Sequence, residues 1–129
     1  MLTENQIREF KKILENRYYQ LREEIRLELL ETDEQPYIEL AGQVHDIGEA
    51  SVADLLVDLQ LAEIDREVRE IRDIDAALLR IAAGEYGLCT DCQASIDEGR
   101  LRAYPTAKRC YRCQVSYEHN HARDSGPSM

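Results

Sequence analysis

Four cysteines stand in the C-terminal third of the chain, as Cys89-Thr90-Asp91-Cys92 and, 17 residues later, Cys110-Tyr111-Arg112-Cys113. Two C-x2-C pairs at this interval have the spacing of a four-sulfur zinc site. Each pair turns two thiolates to one side, and two such turns close a tetrahedron around an ion about 2.3 Å from each sulfur. Four protein ligands leave no position for water or substrate, so the ion would hold structure and not catalyse. The segment between the pairs is too small to fold on apolar burial, whereas metal binding can contribute about 10 kcal/mol or more. A redox pair at CTDC is the competing chemistry. That motif belongs beside a strand-helix-strand pattern, and the sequence has none. Disulfides are a third reading, disfavoured where thiols stay reduced. The spacing therefore predicts one structural Zn2+ held by Cys89, Cys92, Cys110 and Cys113, and no enzyme. Gln93 falls where such knuckles often place glycine to relieve a left-handed backbone. With four sulfurs closing the site, His45, His119 and His121 are read as surface residues.

Composition bounds what can carry such a site. The chain has 129 residues, a net charge of −10, seven tyrosines, one phenylalanine and no tryptophan, so it can bury a narrow seam but no broad core. No apolar run approaches the ~20 residues needed to cross a bilayer. MLTENQIREF lacks the basic-then-apolar pattern of a secretory signal. A cytoplasmic protein with no membrane partner is the expectation. Residues 1–83 hold 20 acids and 10 bases, while residues 84–129 hold 6 of each. Residues 27–65 contain 11 acids and no Lys or Arg. Phosphates would repel that segment, so no direct DNA binding is expected. Arg100, Arg102, Lys108, Arg109 and Arg112 gather around the cysteines, where they can offset the dianionic zinc-thiolate centre.

The elements that must position the cysteines are helical. Ile7, Phe10, Leu14, Tyr18, Leu21, Ile25 and Leu29 recur every three or four residues and predict one long helix over 3–31. Thr3 with Gln6 forms a capping-box pattern. Pro36, Gly42 and Gly48 mark 32–50 as a turn region, with at most a short helical or irregular piece. A second stripe follows from Ser51, its expected cap: Val52, Leu55, Leu59, Leu61, Ile64, Val68, Ile71, Ile74, Leu78 and Ile81. It stops at Ala83-Gly84, a normal helix ending. Two narrow apolar faces satisfy one another as an antiparallel hairpin. The expected fold is thus mainly α: a long antiparallel helical hairpin over 1–83 with an acidic tip around 32–51. A four-cysteine finger over 84–123 follows, with a short terminal helix from about Arg112, and a disordered tail over 124–129.

The stretch ALLRIAAGEYGLCTDCQASIDEGRLRAYPTAKRCYRCQ, residues 77–114, resembles the finger of the DksA/TraR family of bacterial transcription factors. It carries G-x-Y-G-x-C-x-x-C and then I-x-x-x-R-L-x-A-x-P-x-A-x-x-C-x-x-C. EFKKILENRYYQLREEI, residues 9–25, is similar to the family's first coiled-coil helix, and the N-terminal extension of the longer members is missing. The resemblance implies a partner, RNA polymerase, bound directly and not through DNA. It implies a hairpin that enters the secondary channel and brings its tip near the active site, where basic walls and Mg2+ suit acidic oxygen donors. The family tip motif is D-x-x-D-x-A. A gapless count back from Cys89 places Asp46, Glu49 and Ser51 at its three fixed positions, with Glu49 a longer acid and Ser51 in place of alanine. Family members also help to hold the alarmone ppGpp. Arg66 and Arg69 fit that role, but Asp73 and Gln114 stand where lysines belong, so weak or absent ppGpp dependence is expected. The alternative is a zinc-stabilised coiled-coil adaptor that binds another protein.

Overall fold

The structure, a computed structural model, describes residues 1–47, 52–56 and 62–124. Among the described residues the chain forms six helices: α1 (Glu4–Glu31), α2 (Gln35–Asp46), α3 (Val52–Leu55), α4 (Ala62–Ala82), α5 (Glu98–Ala103) and α6 (Tyr111–Asp124). The expected tail lies outside the described residues, save Asp124, which ends α6.

α1 starts on a reciprocal capping box. The Gln6 amide donates to Thr3 Oγ1 at 3.1 Å, and the Thr3 amide donates to Gln6 Oε1 at 2.8 Å. Its 28 residues extend about 42 Å at 1.5 Å each. Phe10, Leu14, Leu21, Ile25 and Leu29 are buried along one face, each apolar side chain stabilising the fold by roughly 1.5–3 kcal/mol. α4 runs antiparallel on that face and buries Ile64, Val68, Ile71, Ile74 and Ala77. The forked pair from Arg17 to both carboxylate oxygens of Glu70, at 2.6 and 3.0 Å, sets the register between the two helices. This α1–α4 pair is the expected hairpin.

The region between its two arms holds more structure than the breakers in the sequence implied. Thr32 Oγ1 donates to the Leu29 carbonyl at 2.7 Å, and Asp33 takes a left-handed φ of 54°, which turns the chain back on itself. Pro36 then occupies the first turn of α2, where its missing N–H costs nothing. The 12-residue α2 lies back along α1, with Ala41 and Val44 in the common core.

The second stripe is also not one helix. α3 ends at Leu55 and packs on the middle of α4, around Arg72, Asp75, Ala76, Leu78 and Leu79. A single straight helix cannot pack on itself, so the expected continuous element from Ser51 is corrected to two. Ser51, Leu59 and Leu61 lie outside the described residues.

At the other end the finger is fixed to the base of the hairpin. Tyr86 packs against Phe10 in a tilted arrangement with ring centroids 5.7 Å apart, and its hydroxyl donates to the Pro105 carbonyl at 2.7 Å. Arg102 lies over the Phe10 ring and pairs with Glu9 of α1 and Glu98 of α5. Gln6 donates to Glu98 at 2.8 Å, and Arg80 of α4 donates to the Thr106 carbonyl at 3.3 Å. Both arms of the hairpin therefore hold the finger.

Candidate metal centre and acidic segment

Each cysteine pair is shaped by its own local structure. Gly84 and Gly87 take positive φ values of 74° and 85° as the chain leaves α4. A Cβ on Gly87 would also meet the end of the Leu2 side chain at 3.0 Å, and the positive φ is what demands glycine there. A tight turn follows, with Gln93 N–H donating to the Cys89 carbonyl at 2.9 Å and Cys89 N–H to the Ala94 carbonyl at 2.8 Å. Gln93 has φ 63°, the left-handed position expected of it, at a cost of roughly 1–2 kcal/mol. The second pair opens α6. Cys110 precedes the helix and its carbonyl accepts from Gln114, which places Cys113 in the first turn. The positive end of the helix faces the first sulfur of the pair, with the Cys113 amide directed at Cys110 Sγ. Thr90 N–H donates to the Lys108 carbonyl at 2.8 Å, joining the approaches to the two pairs.

The sulfurs converge. All four Sγ atoms lie within 4.8 Å of one another, and Cys92 and Cys110 Sγ are 3.9 Å apart. Sulfurs about 2.3 Å from a central Zn2+ sit about 3.8 Å apart at the corners of a tetrahedron, so the arrangement fits that ion. Four soft thiolates with no oxygen donor also select zinc over magnesium or calcium. The amides of Cys92 and Cys113 each point at the first sulfur of their own pair, at 3.5 Å. Burial pushes the Cys89 thiol up, but the backbone amides of Cys92, Cys110 and Asp91 outweigh it and bring the group down to about 6. Hydrogen bonds to the Cys110 and Cys89 sulfurs push Cys113 up to about 12. Four sulfurs this close cannot all ionise without a cation among them, and a divalent ion removes that conflict.

Among the described residues this is the only cluster of three or more metal-type ligands, and no histidine belongs to it. His45 faces Asp46, and His121 stacks on Tyr117 at 3.8 Å. Three of the five basic residues around the finger are engaged within the protein. Arg109 pairs with Asp91 at 2.9 Å and lies 3.8 Å over the Tyr117 ring, Arg100 donates to the Arg109 carbonyl, and Arg102 holds the finger to α1.

The acidic residues named from the tip motif fall differently. Asp46 ends α2, where its side chain is 82 % exposed. It is not at the outer end of the α1–α4 pair. The carbonyls beside it meet Arg22, nine residues and about 14 Å short of the end of α1. Glu49 and Ser51 lie outside the described residues. Arg66 and Arg69 occupy the outer half of α4, and Arg69 pairs with Asp65 at 2.8 Å. Asp73 and Gln114 line one cavity of about 570 Å³ with Arg100, Lys108, Arg109 and Tyr117. The sequence reading passed over Arg22, whose partners are carbonyls of another helix. It also passed over Glu28 of α1 and Glu67 of α4, which each carry one buried carboxylate oxygen without a hydrogen-bond partner.

A four-sulfur finger seated on the base of an antiparallel helical hairpin defines a class of zinc-finger protein, and comparisons with known proteins agree. The family profile described as the prokaryotic dksA/traR C4-type zinc finger matches residues 84–119. RNA polymerase-binding transcription factor DksA of Buchnera aphidicola is 31% identical over 117 residues, which cover 91% of this chain and 74% of that protein. The Salmonella typhimurium protein of the same name is 29% identical over the same shares. An uncharacterized protein of Aquifex aeolicus is 35% identical over 92% of this chain and 72% of its own length. The solved structure of transcription factor DksA2 from Pseudomonas aeruginosa superposes with a TM-score of 0.65 at 28% identity, covering 93% of this chain and 88% of that one. The chain belongs to the DksA/TraR family, and its four cysteines are positioned to bind one metal ion, as a C4-type zinc finger requires.

Proposed function

We propose that this protein is a non-enzymatic regulator of bacterial transcription that binds RNA polymerase through the secondary channel. The observation that carries the reading is the likeness over nine-tenths of the chain to factors named for polymerase binding, finger and hairpin together. A finger alone would be compatible with many partners. The hairpin supplies reach, since α1 extends about 42 Å from the finger to the turn at Thr32. The finger supplies a rigid base, fixed to both arms.

In this reading Asp46 and Glu49 contact the polymerase catalytic region. The region lacking Lys and Arg, residues 27–65, suits basic channel walls and a Mg2+ ion and is unsuited to DNA. Asp46 is exposed enough to make such a contact from the side of the rod. Arg66 and Arg69 would be the residues nearest to a ppGpp role. Asp73 places an acid in the cavity where a polyphosphate would be drawn, which supports weak or absent ppGpp dependence.

The test is binding to core polymerase followed by transcription in vitro on several promoters. Asp46→Asn with Glu49→Gln is expected to keep binding and to lose at least about tenfold of the promoter effect, roughly 1.4 kcal/mol at the step concerned. If the double variant regulated like the wild type, the assignment of the acidic segment would be wrong. Failure to bind polymerase would favour an adaptor for another protein.

A further inference from the structure

The C-terminal end of α2 presents a problem that the structure solves with a residue from another helix. The last four carbonyls of a helix have no partner within it, and they carry the negative end of the helix dipole. α2 has no Lys or Arg of its own, because it lies inside the base-free stretch 27–65. Apart from His45 in the last turn, any compensating charge comes from outside that stretch. It comes from Arg22 of α1. Its Nε donates to the Val44 carbonyl at 3.0 Å, and its Nη2 donates to the carbonyls of His45 at 2.9 Å and Ile47 at 2.8 Å. One guanidinium thus serves three of the terminal carbonyls, with charge-assisted bonds that fix direction as well as distance.

One turn earlier on the same face of α1, the Tyr18 hydroxyl accepts from the Val52 amide at 3.1 Å. Residues 18 and 22 are about 6 Å apart along the helix. The chain is therefore tied to α1 on the approach to residue 48 and again at residue 52. Apolar packing of Ala41 and Val44, with Leu40 and Ile47 beside them, holds α2 on the core without directed bonds to its terminal carbonyls. Arg22 supplies those directed bonds.

We propose that Arg22, with Tyr18 beside it, is a clasp that fixes the last turn of α2 and makes Arg22 the positioning residue for Asp46. Asp46 sits between His45 and Ile47, whose carbonyls Arg22 holds, while its own side chain points into solvent. Loss of the guanidinium leaves three terminal carbonyls to water and lets the last turn fray, without touching α4 or the finger. The functional part of this inference rests on the reading that Asp46 acts on polymerase. The clasp itself does not.

The experiment uses the zinc-loaded full chain in three forms: wild type, Arg22→Ala and Arg22→Lys. Amide hydrogen exchange of the isolated proteins reads the clasp, and affinity for core polymerase together with the maximal promoter effect reads its use. Arg22→Ala is expected to speed exchange over residues 44–47 by about tenfold while residues 84–119 keep their protection. Polymerase affinity should stay within about twofold, and the maximal effect at saturation should fall by at least about fivefold. Arg22→Lys should recover only part of both, because one ammonium cannot fork across three carbonyls. Adding Asp46→Asn to Arg22→Ala should cost nothing further, since the two residues would act as one unit. Unchanged exchange at 44–47 refutes the clasp. Faster exchange with an undiminished promoter effect, or with affinity and effect falling together, refutes the positioning role. A wild-type chain with no effect on polymerase would defeat the functional reading and the positioning role together, and the exchange comparison would still decide the clasp.

Discussion

Glu28 and Glu67 offer the sharpest test of how the two long helices are held. Each has one carboxylate oxygen sealed from solvent with no hydrogen-bond partner, and Glu67 faces Glu28 across the seam. Burial first, and then the nearby charges of Glu67, Glu24 and Glu31, push Glu28 from an ordinary 4.5 up to about 7. One proton shared between the carboxyls relieves both the desolvation and the repulsion. Because the folded pKa is raised, the stabilisation is complete below the unfolded value near 4.5 and is lost as pH rises through about 7. A fully buried group with that shift would lose roughly 3 kcal/mol. Glu28 is only partly buried, and solvent screening reduces the expected loss to about 1 kcal/mol. Glu28→Gln keeps the shape and supplies the donor permanently. Thermal unfolding of the zinc-loaded protein, followed by far-ultraviolet circular dichroism, should show the variant more stable than wild type at pH about 8, by roughly 3 °C. The two should converge only as pH falls below the unfolded value near 4.5, where both the folded and the unfolded wild-type chain hold the proton. A difference independent of pH, or a variant weaker at pH about 8, would show that no proton is shared there.

Cys113→Ser, or removal of the ion by a chelator, should abolish the one-zinc stoichiometry and unfold residues 84–119, since the binding energy of about 10 kcal/mol exceeds what that segment's small core supplies; metal analysis with amide exchange would show this. Tyr86→Phe should cost about 1 kcal/mol through the lost bond to the Pro105 carbonyl, and Tyr86→Ala about 3–4 kcal/mol through the lost packing on Phe10, both read by denaturant unfolding. Asp73→Lys with Gln114→Lys reverses the charge of one residue and adds another in the cavity beside Arg109, and it should raise the affinity of the polymerase complex for ppGpp above that of the wild-type complex, for which weak or absent dependence is expected.

The sulfur site was legible because its information is local: two short spacings and an interval. α1 was legible down to its capping box for the same reason, with period and cap lying within a few residues of each other. α2 was obscured by residues that read as breakers. Pro36 sits where a helix tolerates proline, and Gly42 in the helix interior costs only about 1 kcal/mol, which docking on α1 outweighs. The Arg22 contacts could not be read, because backbone carbonyls 22 to 25 residues away leave no mark in the side-chain pattern. The Glu28–Glu67 pairing was hidden likewise, since a glutamate inside an acidic stretch looks like a solvated one until two helices are brought together.

Among the described residues α1 meets the finger through Glu9 and Phe10, the far arm through Arg17 and the folded-back helix through Arg22. It therefore acts as a measuring stick, and the 12 residues from Phe10 to Arg22 set the finger's seat and the end of α2 about 18 Å apart along its axis. A related chain that grows or shrinks between those marks has to alter both arms by matching whole turns. A change in one arm alone would swing the acids to the wrong side of the strut.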